Sequence, residues 1–112
     1  MILLDGKNRI RDLIDADKYK GQLGTGTTAP TENDTGLETA DSDTLVTLTS
    51  TTSNKQLLFD YNLPTTTGNG NTYAEYENQL NSGTDHLTRV VFAGLGKTNT
   101  EEWQVSTFFR LL

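Results

Sequence analysis

The chain contains no cysteine, so a disulfide framework, a thiolate metal site and a cysteine nucleophile are all excluded. Histidine, tryptophan and methionine occur once each and proline twice, which leaves little material for imidazole-based metal or acid–base chemistry. Long apolar runs are also missing. Met1-Ile2-Leu3-Leu4 gives way at once to Asp5-Gly6-Lys7-Asn8-Arg9, too short a stretch for a signal peptide or a membrane span, and a soluble protein without membrane insertion is expected. Positive charge is scarce. Nine Lys and Arg face fifteen Asp and Glu, a net charge of -6, and a chain of that sign repels phosphate backbones and anionic lipid, which argues against a nucleic-acid partner.

Apolar residues make up 33% of the 112 positions, enough for one domain but with a lean core, so completion of burial by neighbouring subunits is expected. What the chain has instead is threonine: twenty of them, with ten glycines and nine asparagines. Thr suits a pleated, half-wet surface, and Gly and Asn accept the backbone angles of tight turns. The expected fold is therefore all-β.

One segment reads as helix. Asn8 is placed to cap it, and Ile10, Leu13 and Ile14 repeat at helical spacing before Asp15, Asp17 and Gly21 end the pattern. Two turns alone are marginal in water, so residues 1–20 are read as an N-terminal docking arm whose stripe packs on its own sheet or on a second chain. Residues 21–43 are Gly/Thr-rich and read as loop, with a helical turn conceivable at Thr35–Thr39. Residues 44–112 are read as an antiparallel β domain with at least five strands, in Thr44–Thr49, Lys55–Leu63, Thr72–Leu80, Leu87–Ala93 and Glu102–Leu111. The last is the plainest: Trp103, Val105, Thr107, Phe109 and Leu111 alternate with polar residues, Phe108 excepted. Short links leave no room for crossover helices, so a small antiparallel sandwich or jelly-roll-like sheet is expected.

Searches for chemistry are mostly negative. Gly24-Thr25-Gly26-Thr27-Thr28-Ala29 fits the dinucleotide pattern G-x-G-x-x-A, but no apolar strand feeds it and Pro30 interrupts the helix it would open, so no cofactor is expected. Paired carboxylates such as Asp15/Asp17 lack a calcium-loop spacing, and only a weak calcium site near Asp41/Asp43 stays open. His86 beside Asp85, with Ser82 and Thr84 close by, does not make a catalytic triad, because nucleophile, base and acid must converge from rigid elements. No catalytic or metal-binding residue is assigned. Tyr73, Tyr76 and Trp103, if exposed, would form a platform for stacking on a sugar ring; otherwise they are core or interface.

The string Leu23-Gly24-Thr25-Gly26-Thr27-Thr28-Ala29-Pro30, followed by Asp34-Thr35-Gly36-Leu37-Glu38, resembles small virion proteins of tailed phages and archaeal tailed viruses. In that group the loop precedes a sheet with an Asn-Gly-rich link, an acidic strand, an Arg-bearing strand and a Lys-Thr turn. Here Gly68-Asn69-Gly70-Asn71, Glu75, Leu87-Thr88-Arg89-Val90-Val91-Phe92 and Lys97-Thr98 follow in that order. Where related sequences carry a glycine two residues after the acidic one, this chain has Glu77.

The resemblance implies a non-enzymatic virion structural protein: a head decoration, turret, neck, tail or fibre component that assembles as a homo-oligomer with other capsid or tail proteins. Its localisation would be the virion, assembled in host cytoplasm. The expected assembly residues are Ile10, Leu13 and Ile14 of the stripe, Gly24 and Gly26 of the loop, where glycine-only backbone angles are expected, and the apolar end Leu111-Leu112. The alternative is a carbohydrate- or receptor-binding β-sandwich module that takes a host-surface glycan.

Overall fold

In a computed structural model describing all 112 residues, the chain forms two antiparallel sheets and one N-terminal helix, the all-β class expected. The helix α1 (Leu4–Asp17) leads directly into β1 (Lys18–Gly24). After a long loop come a single 3₁₀ turn (Ser42–Thr44) and β2 (Val46–Thr47). Then follow β3 (Thr49–Ser53), β4 (Gln56–Leu63), β5 (Thr72–Leu80), β6 (Asp85–Gly96) and β7 (Trp103–Arg110). One sheet has the order β2-β1-β5-β6, the other β3-β4-β7. Leu48, buried between β2 and β3, marks where the chain crosses from one sheet to the other.

Period-two patterning explains the second sheet. Leu57, Phe59, Tyr61 and Leu63 of β4 point inward and are buried. Trp103, Val105 and Phe109 of β7 line the same side, and Phe108 lies on the outer face, more than half exposed. Leu23 and Tyr76 meet them from the first sheet, with Tyr61 and Tyr76 edge to face at 5.1 Å. Only 19 residues are buried, so the core is lean and polar side chains take part in it. Asn78, fully buried on β5, donates to Thr88 Oγ1 on β6 and to Thr107 Oγ1 on β7, both at 2.9 Å, and accepts from the Tyr76 hydroxyl at 2.6 Å. It joins the two sheets through hydrogen bonds where an aliphatic core would do so by packing.

Four expectations are corrected. Residues 18–24, divided above between arm and loop, are a strand held between β2 and β5, so the β domain begins at Lys18 rather than at residue 44. The signal is weak because β1 reads Lys-Tyr-Lys-Gly-Gln-Leu-Gly, and it is the pairing on both sides that imposes extension on it. The run Thr44–Thr49 is split by the change of sheet into a 3₁₀ turn and parts of two strands. No helical turn forms at Thr35–Thr39; the turn is at Ser42–Thr44, where Asp41 accepts from the Asp43 amide. Finally, Asn8 does not cap α1, which starts at Leu4 without a side-chain cap. The Asn8 carboxamide oxygen instead accepts from the Lys55 amide at 2.9 Å and fastens the helix to the β3–β4 turn.

Candidate functional site

The expected site residues do not come together. Ile14 packs against the core, but Leu13 is 53% exposed and Ile10 also faces solvent, so the stripe is divided between the chain's own body and its surface. Beyond Ile14, the helix is held by Arg11 donating to the Ser53 carbonyl and by Ser50 donating to Asp15. Leu111 is half-buried with its amide on the Lys55 carbonyl, and Leu112 is exposed. Tyr73 and Tyr76 are buried, so neither offers a ring face to a sugar; the stacking platform is reduced to Trp103. Asp41 uses its two oxygens on the Asp43 amide and the Tyr73 hydroxyl, and no three acidic or imidazole side chains gather as metal ligands.

Gly24 and Gly26 matter for a different reason than expected, since neither has a positive φ. A Cβ on Gly24 would lie 2.5 Å from the Thr39 carbonyl oxygen and from Glu75 Oε2. On Gly26 it would lie 2.5 Å from the Glu38 Cβ and 2.6 Å from the same carboxylate. What demands glycine is the close approach of loop and strand.

That approach is built around Glu75. Sequence alternation would leave Glu75, Glu77 and Gln79 on a wet face of β5, yet all three are buried: the loop after Gly24 folds over Glu75, while Glu77 and Gln79 engage His86 of β6 and Gln22 of β1. The loop is closed at its base, where Gly24 bridges to Ala40 and the Thr25 amide bonds the Thr39 carbonyl. The Glu75 carboxylate accepts from the amides of Gly26 (2.8 Å), Glu38 (2.9 Å) and Thr39 (2.8 Å) and from Arg89 Nε (3.0 Å). Arg89 continues to Asp34 (2.9 Å) and to the Thr28 carbonyl (2.9 Å). Burial would raise the Glu75 carboxyl, but the three amides and the guanidinium outweigh it and hold it below its usual range. Beside this lock, Glu77 bonds His86 Nδ1 at 2.6 Å and Gln79 at 2.9 Å. Both Glu75 oxygens and all three Arg89 nitrogens are engaged in holding the loop to the sheet. The Gly24–Pro30 string, Asp34, Glu75 and Arg89, quoted separately in the sequence, meet at this one point.

The exposed apolar surface lies elsewhere. β6 and β7 are the outer strands of their sheets, and where the sandwich opens between them there is a cleft of about 390 Å³. Leu23, Tyr76, Val90, Phe92, Leu95, Trp103 and Val105 line it, with Glu102 and Gln104 at its polar side. Val90 and Leu95 are about half exposed. A second apolar surface is the tip Met1–Leu4, whose four side chains stand in solvent beside Lys7 and Lys55. Trp103 was read from the sequence as a platform member, but Val90, Phe92 and Leu95 were not singled out, because the strand-edge position that exposes them follows from the pairing order. No helix is long and apolar enough to cross a membrane. Comparisons with protein-family models, curated proteins and solved structures give no match.

Proposed function

We propose that the chain is a structural subunit of a tailed-virus particle, without enzymatic activity, that assembles as a homo-oligomer on the capsid or tail alongside other virion proteins. The observation that carries the assembly half is the unfinished apolar surface: an open cleft between two unpaired outer strands and an exposed apolar tip, on a body with a lean core. Two apolar surfaces left open on a body with so lean a core are what a subunit shows when its neighbours complete its burial. The viral half is supported by the resemblance of the Gly24–Pro30 loop. That loop is held shut by Glu75 and Arg89, which makes it a rigid feature of the body.

The test is the mass of the purified chain by light scattering as concentration rises, followed by imaging of particles from a host in which it is produced. A species of several subunits and localisation to the particle support the reading; a monomer at every concentration contradicts it. The second reading, a carbohydrate- or receptor-binding module, is favoured by Trp103 lying half-buried in the cleft next to Glu102 and Gln104. Quenching or shift of its emission by simple sugars, with the chain monomeric, would select that reading.

A further inference from the structure

We propose that the cleft between β6 and β7 receives the Met1–Leu4 tip of a second copy of this chain, joining subunits head to tail. The inference rests on the assembling-subunit reading above and specifies its contact.

The occupant is argued from charge and from reach. The cleft is apolar through Leu23, Val90, Phe92, Leu95, Trp103 and Val105, and Glu102 on its lining is not paired with any cation. Lys97, the cation nearest in sequence, is buried with its ammonium held by Asn69 and the Thr98 carbonyl. The tip is net positive: Ile2, Leu3 and Leu4 are exposed, and Lys7 and Lys55 beside them, neither in an ion pair, outnumber the single Asp5. An aliphatic cationic segment thus complements an apolar acidic cleft on a molecule whose net charge, -6, otherwise makes copies repel.

Reach excludes self-docking. The tip sits at the Asn54–Lys55 end of the second sheet, where Gln56 pairs with Arg110. The cleft sits at the other end, where Tyr61 pairs with Val105 and Leu63 with Trp103. Five to seven strand residues separate them, roughly 17–24 Å. Residues 1–3 of the tip are tethered to the start of the helix, a reach of about 10 Å at full extension, and the helix is fastened at Asn8 and Arg11. Tip and cleft being different surfaces, their contact is heterologous, and repeating it gives a closed ring or an open tube.

The chain's single tryptophan lies in the cleft and reports its occupancy. The experiment compares sedimentation and Trp103 emission for the full chain, for Ile2→Asp/Leu3→Asp, and for Lys7→Glu, Glu102→Lys and the two combined. Leu3 stands at the helix N-cap, where Asp is a favoured residue, so the tip variant keeps its helix, as circular dichroism will show. The proposal expects that variant to associate at least about 100-fold more weakly, with Trp103 emission shifted to longer wavelength as water enters the cleft. Each charge variant should weaken association about 5-fold, and the combined one should recover it.

Association and emission unchanged in the tip variant would overturn the proposal while leaving the assembling subunit intact. Loss of assembly in Leu95→Arg but not in the tip variant would likewise overturn it, assigning the cleft to another surface of the second copy. A wild-type chain that is monomeric throughout would overturn both readings at once.

Discussion

Glu75 ties the loop after β1 to the sheet. Three backbone amides and Arg89 converge on its carboxylate in a buried site, so loss of either charge leaves its partner stranded. Arg89→Ala should lower stability by about 3 kcal/mol in chemical denaturation, because the remaining anion keeps its amides but loses its counter-charge. Gly24→Ala should cost about 2 kcal/mol, since the new methyl meets the Thr39 carbonyl as well as a side chain, and backbone there cannot give way cheaply. The pH dependence follows from the depressed carboxyl. A group whose pKa is lower folded than unfolded contributes stability above its unfolded value, near 4.5, and that contribution is lost as pH falls below it through the folded value. The amide resonances of Gly26, Glu38 and Thr39 should therefore hold steady down to about pH 4.5 and move together in the acid range beneath it. The sequence motif contains these residues, but not their convergence, because strand alternation leaves Glu75 facing solvent. The fact that buries it, a loop folding back over the strand, is tertiary.

Among the elements, legibility tracks how strongly the residue pattern agrees with the final environment. β4 and β7 alternate cleanly because one face is core and the other water, and both were found within a residue or two. β1 was missed because two glycines and two lysines in seven residues carry no strand signal, and it is extended only because β2 and β5 flank it. The helix was found but begun five residues late, since Asn8 looked like a cap while serving as a tether to Lys55. Its apolar stripe is now divisible by experiment. Ile14→Ala, which removes a side chain packed on the core, should destabilise the chain by about 2 kcal/mol in thermal or chemical unfolding, whereas Leu13→Ala at an exposed position should change stability by less than about 0.5 kcal/mol. Equal losses at the two sites would mean that Leu13 is buried by a second copy, returning the whole stripe to an interface.

At the scale of the molecule, the low apolar content read at the outset has a structural counterpart in a core of eight buried residues bound together by tyrosine hydroxyls and Asn78. Outside the core, exposed apolar side chains stand at the tip (Met1–Leu4) and at the cleft (Val90 and Leu95), at opposite ends of the second sheet. The proposed subunit would finish its burial at these two surfaces by assembly. Sedimentation equilibrium of the full chain across the micromolar range tests this most directly. It should show the 12.3 kDa subunit giving way to a species of several times that mass as concentration rises, and a molecule that stays at 12.3 kDa throughout would contradict the account.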